Sequence, residues 1–239
     1  MQLLYARAKI GRANKHLDDL RRMIDALASA YVATVELNSE TGHQAIKYAL
    51  PDGQPLSKWL LESALVIGDA VHNLKSALDH AWYALVAKAD STLVGKSTKF
   101  PVRDTSQEVE SALHGSRIDV AIPALHQLIV GKLKPFKGGD GAIWPLHQLN
   151  NWDKHRLLTP VLQYFSPSGI EIEHEGGRVE KPLVMATWQQ EGPYYVGYGS
   201  IPASSKVINK GKVALAILFD DGTPGAVQHM DVPDLLTYY

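Results

Sequence analysis

Apolar residues in the first third of the chain keep a strict rhythm. Leu3, Ala6, Ile10, Ala13, Leu17, Leu20, Ile24, Leu27 and Tyr31 fall alternately three and four residues apart. That spacing predicts one helix with a single apolar seam. Its length is about 43 Å at roughly 1.5 Å per residue. A second seam follows in Leu60, Ala64, Ile67, Val71, Leu74, Leu78, Ala81 and Leu85. Ser57, after Pro55, is the expected N-cap of that helix. Two seamed helices in succession predict an antiparallel hairpin in which each buries the other's stripe. Between them, "YVATVELN" and "QAIKYALPDG" flank "SETGH" and predict a β-hairpin arm at 32–50. Such an arm, with seams longer than one hairpin needs, leads us to expect a homodimer.

The pattern changes after Ala89. Shorter helices are expected at 106–114 and 119–131, joined by "KPFKGGDGA" to a further helix, "IWPLHQLNNWDKHR". Pro145 sits in the first turn of that helix, where its missing N–H costs little. Beyond Leu157 the helical rhythm fades. "GIEIEHEGGRVEKPLVMATWQ" alternates around a Gly-Gly hairpin signal, and "PYYVGYGS" and "KVALAILFDDG" read as further strands. The chain closes on a short helix, "VPDLLTYY". The expected fold is therefore α+β. A long antiparallel helical hairpin with an inserted β-hairpin arm and additional helices occupies 1–156. An antiparallel β-sheet or small sandwich occupies 157–239.

Composition narrows the function classes. The formal net charge is -1, so wholesale electrostatic binding to nucleic acid or membrane is not implied. Residues 1–160 nevertheless carry 19 Lys+Arg against 16 Asp+Glu, and 161–239 carry 5 against 9. There is no Cys, which excludes disulfides, thiolate metal sites and a Cys nucleophile. The amino-terminal residues are too interrupted by charge for a signal peptide. The longest apolar run, "VALAILF", is too short to span a bilayer. A cytoplasmic protein without membrane contact is expected.

Candidate chemistry lies on the second helix, in "GDAVHNLKSALDHAWYAL". On a wheel of about 100° per residue, His72, Asn73, Ser76, His80 and Tyr83 fall within roughly 60° of Asp69. The apolar seam is centred nearly opposite, so the polar stripe is expected to face away from the first helix. A solvated helix face favours Lys, Glu, Arg and Gln. This stripe has none of Lys, Arg or Glu and consists of short polar residues that are poorer helix formers. It reads as a site or as a buried hydrogen-bond network.

A second cluster is "NNWDKHR", Asn150 to Arg156. Lys154, His155 and Arg156 suit the negative end of a helix. Asp153 does not, and needs a partner: either Arg156 or a His of the stripe. That makes "NNWDKHR" the expected cover of the stripe. His72 and His80 are separated by about 12 Å along a helix axis, too far to share one ion at roughly 2.1 Å per ligand. No HExxH signature, P-loop, GxGxxG or GxSxG is present. No metal and no cofactor are assigned.

At these residues the chain resembles a widespread set of uncharacterised bacterial proteins, whose pattern runs "GDxxHNLRSALDH", an "FP" turn, then "LxNxDKHR". The matching residues are Gly68, Asp69, His72, Asn73, Leu74, Ser76, Ala77, Leu78, Asp79 and His80; Phe100 and Pro101; and Leu149, Asn151, Asp153, Lys154, His155 and Arg156. The likeness covers about residues 1–160 and brings no activity with it. A shorter likeness is to HEPN domains, helical bundles that include metal-independent ribonucleases marked by Arg-x(4–6)-His. Here Lys75 stands at the Arg position and His80 follows five residues later. Lys keeps the charge but lacks the planar fork that grips phosphate.

What this resemblance implies is an RNA-processing or nucleotide-binding protein. His80 would be general acid or base. Asp79, Asp153 and His155 would complete the catalytic group. His72, Asn73, Lys75, Ser76 and Arg156 would hold the substrate. Two other readings fit the residues: a non-catalytic interaction module whose stripe is a buried polar network, and a metal-dependent hydrolase.

Overall fold

A computed structural model describes residues 2–51, 56–96, 98–139, 142–182 and 194–238. The fold is α+β. Helix α1 runs Gln2–Ala30, strands β1 and β2 are Val32–Asn38 and His43–Ala49, and helix α2 runs Leu56–Ala89. Ser57 is therefore inside α2 and does not cap it. Asp90 ends that helix and caps a short 3-10 turn at Ser91–Leu93, where its carboxylate accepts the Thr92 N–H.

Helix α3, Ser106–Gly115, starts on a complete capping box. Thr105 Oγ1 accepts the Glu108 N–H, and Glu108 accepts the Thr105 N–H. The expected single helix at 119–131 is broken into α4, Ile118–Ala121, and α5, Pro123–Leu128, followed by a π-helical turn at Ile129–Leu133. Pro123 explains the break. Its ring disfavours the helical region for the residue before it, and Ile122 sits at φ -141°, ψ 70°. Helix α6, Ile143–Asp153, keeps Pro145 in its first turn, and α7 spans Val232–Tyr238.

The remaining strands are β3, Pro160–Glu173; β4, Val179–Glu180; β5, Tyr194–Pro202; and β6, Lys206–Phe219. They do not form one carboxy-terminal sheet. β5 leaves that group and pairs antiparallel with β2 of the arm, from Tyr48↔Tyr194 to His43↔Pro202, giving a sheet of order β1-β2-β5. The second sheet has order β4-β3-β6. The arm's turn is closed by Asn38, whose Oδ1 accepts the Glu40 and Thr41 N–H groups at 2.9 and 3.2 Å. Residues 183–193, which carry the end of the expected "GIEIEHEGGRVEKPLVMATWQ" strand pair, lie outside the described residues.

The chain forms two compact units that interleave along the sequence. One comprises 1–19, 64–158 and 219–239; the other comprises 20–63 and 159–218. In the first, the Trp82 and Phe100 rings meet edge-on at 5.8 Å. Val86, Val109, Leu113, Ile118 and Ile129 join them in a buried apolar core. In the second, Ile46, Tyr48, Ile170, Tyr194 and Ile217 are buried. Antiparallel pairing of the helices is local to each unit. Tyr5 and Lys9 reach His80 and Asn73 in the first, and Trp59 Nε1 donates to the Met23 carbonyl in the second. Among the described residues no helix is long and apolar enough to cross a membrane.

Candidate functional site

The polar stripe of α2 does not behave as one surface. Its middle is structural. Asn73 is 8 % exposed. Its amide donates to the Asp69 carbonyl at 2.7 Å, and its Oδ1 accepts Lys9 Nζ from α1 at 3.1 Å. Tyr5, one turn earlier on α1, lays its ring 6.0 Å from that of exposed His80. The stripe was expected to face away from the first helix; α1 instead lies along its edge. The reason is that small residues at Ala70 and Ala77 widen the buried arc of α2 toward Asn73.

Lys75 is only 6 % exposed. Its ammonium is 2.5 Å from Asp79 Oδ1, one turn along the same helix. The same carboxylate oxygen accepts the Phe100 N–H at 2.9 Å. Asp79 thus ties α2 to the "FP" turn and neutralises a buried cation in one step. Lys75 and His80 do not share a face: one is buried against Asp79, the other is exposed beside Tyr5.

The open end of the stripe meets α6. Asp153, the last residue of that helix, sets its carboxylate against Gly68. A methyl group at Gly68 would lie 2.5 and 2.8 Å from its two oxygens. Burial raises the Asp153 pKa, the Asp69 carboxylate raises it further, and His72 opposes the shift. His72 itself is exposed, and Ser76 Oγ is 3.4 Å from its Nε2. Gly68, Asp69 and His72 from the first motif and Asp153 from the second therefore converge. Arg156, the alternative partner for Asp153, instead lies over the Trp152 ring, 5.0 Å from its centre. His155 is exposed and has its backbone N–H on the Trp152 carbonyl. Among the described residues no three His, Asp or Glu side chains are arranged to hold a metal ion.

One participant escaped the sequence reading. His147 lies two turns before Asp153 on α6. Its Nε2 accepts from Asn151 Nδ2 at 2.9 Å, and Asn151 Oδ1 accepts Lys154 Nζ at 3.1 Å. Its Nδ1 is buried and has no hydrogen-bond partner among the described residues. Burial lowers its pKa, and Lys75, Lys154 and Arg103 lower it further while Asp79 opposes them. The available signal was the His-x-x-x-Asn spacing, which places both side chains on one helix face. No protein-family model, curated protein or solved structure matches the chain.

Proposed function

We propose that this protein binds RNA or nucleotides and carries out metal-independent acid–base chemistry on them, in the manner of a HEPN-like protein. The observation that carries this reading is the Asp153 carboxylate held against Gly68, beside Asp69 and His72. A carboxyl group whose pKa is raised by burial and by a neighbouring carboxylate can give a proton. An exposed imidazole, that of His72, can take one. In phosphodiester cleavage His72 would accept the proton of the attacking 2′-hydroxyl. Asp153 would return one to the leaving 5′-oxygen as the P–O bond breaks. Lys154 and Arg156, exposed and next in sequence, would meet the phosphate.

His80, Asn73, Lys75 and Asp79 take supporting parts in this reading. Purified protein is incubated with mixed RNA in the presence of a chelator. Cleavage that survives the chelator and is lost in both Asp153→Asn and His72→Ala supports it. Intact RNA, or cleavage unchanged by either substitution, overturns it.

A second reading has its own observation. Asn73, Lys75 and Asp79 spend their hydrogen bonds inside the fold, as a non-catalytic interaction module requires. A homodimer fits either reading. Among the described residues β1 is an edge strand of its sheet, and Val32, Val35 and Leu37 on it are exposed. Sedimentation as a monomer at micromolar concentration would remove the dimer from both.

A further inference from the structure

The first compact unit contains an apolar cavity of about 410 Å³ that neither polar cluster uses. Its floor consists of buried Ala6, Leu74, Ala77 and Leu146. Alanines on facing turns of α1 and α2 keep that floor open; larger side chains at those positions would fill it. The rim differs from the floor in being exposed. Ile10, at 43 %, and Tyr238, at 77 %, stand there. Among the described residues the one charged member of the lining is Lys132, also exposed.

The segment that carries Lys132 is irregular in a specific way. Lys132 and Leu133 belong to the π-helical turn at Ile129–Leu133. π-turns are rare and occur frequently at functional sites. This one stops at Lys134, a non-glycine residue at φ 38°, a conformation that costs free energy and persists only where its surroundings impose it. Gly139 closes the following loop against the Lys134 carbonyl so tightly that a side chain has no room there. The sequence thus maintains an unfavourable backbone that turns Lys132 and Leu133 to the cavity.

We propose that this cavity binds a small amphiphilic carboxylate, an aliphatic acid with its chain on the alanine floor and its carboxylate on Lys132. The volume falls in the range of small-molecule sites, about 300–1,000 Å³. The largely apolar lining disfavours a polar body, since burying polar groups without partners is costly. The Lys132 cation at the rim favours an anionic end.

Titration calorimetry of the full chain with decanoate, below its micellar concentration, tests this. Saturable binding near one equivalent is expected, with butyrate too short to bind. Lys132→Ala, a surface change, should weaken decanoate by about tenfold, the size of a lost charge-assisted contact, and leave 1-decanol unchanged. Ala81→Leu, at a half-buried lining position, should abolish both while keeping the wild-type circular dichroism. Absence of saturable decanoate binding overturns the proposal, as does equal loss of decanoate and decanol in Lys132→Ala. It is also overturned if wild-type protein is a dimer that Ala81→Leu renders monomeric, since a second copy would then be the occupant.

Discussion

The Asp153 carboxylate rests against the α-carbon of Gly68, so close that a β-carbon there would fall 2.5 Å from Oδ1. Gly68 lies inside α2, where glycine is intrinsically worse than alanine by about 1 kcal/mol. The contact predicts a sign reversal. Gly68→Ala alone should destabilise by about 1 kcal/mol or more, because overpacking outweighs the helical gain. In an Asp153→Ala background the same change should stabilise by up to about 1 kcal/mol. A double-mutant cycle in urea reads both. Equal effects in the two backgrounds would show that the two residues do not touch.

Asp153 itself should cost stability at neutral pH. Its pKa is raised by burial and by Asp69, so the fold prefers the protonated acid. That preference favours the native state below the unfolded value, about 3.9, and is lost as pH rises through the raised folded value. Asp153→Asn mimics the protonated form. Its Tm should exceed that of the wild type at pH 7, and the difference should shrink toward zero as pH falls through 4. A lower Tm at pH 7 would mean that the carboxylate is held by favourable contacts and carries no cost. A residue that lowers stability and persists beside a second carboxylate fits the proposed acid–base role.

Much of this arrangement was legible beforehand. The seams fixed α1 and α2, because three–four periodicity has one structural solution at that length. Asp153 stood out because a carboxylate at a helix C-terminus needs an external partner, and the structure sets it against Gly68, beside one end of the stripe. What periodicity could not give was azimuth. Whether α1 crosses α2 at the seam's centre or at Asn73 depends on which alanines allow close approach, and that is a property of two helices together. The exchange of β5 into the arm's sheet was likewise invisible. Alternation identifies a strand but carries no information about its neighbour. His147 looked like an ordinary helix residue until Lys75, Lys154 and Arg103 were brought around it.

The Lys75–Asp79 pair predicts unequal consequences for its two members. Asp79→Ala leaves an ammonium 6 % exposed and the Phe100 N–H without partners. It should cost on the order of 2–3 kcal/mol, the penalty for stranding buried polar groups. Lys75→Met removes the charge and keeps the volume. Asp79 retains the Phe100 N–H and is partly open to water, its side chain 27 % exposed. The cost should stay below about 1.5 kcal/mol. Denaturant midpoints of the two variants decide it. A Lys75→Met variant as damaged as Asp79→Ala would assign Lys75 a role beyond neutralising Asp79.

In the second unit, a hydrogen bond from Tyr48 joins β2 to β6. Its hydroxyl donates to the Lys210 carbonyl at 2.5 Å, and its side chain is among the most buried in the chain. Burial pushes the phenol up to about 12. Because deprotonation would both place a charge in the core and remove the donor to that carbonyl, ionisation and loss of structure should coincide. The raised pKa favours the native state up to the unfolded phenol value, about 10, and that contribution fades as pH climbs through 12. Tyr48→Phe removes the donor and keeps the ring, so it should cost about 1 kcal/mol, the net value of one hydrogen bond. It should also flatten the alkaline limb of the stability curve between pH 10 and 12. Tyrosinate absorbance recorded alongside circular dichroism separates the outcomes. A wild-type-like alkaline limb in Tyr48→Phe would show that another phenol governs it.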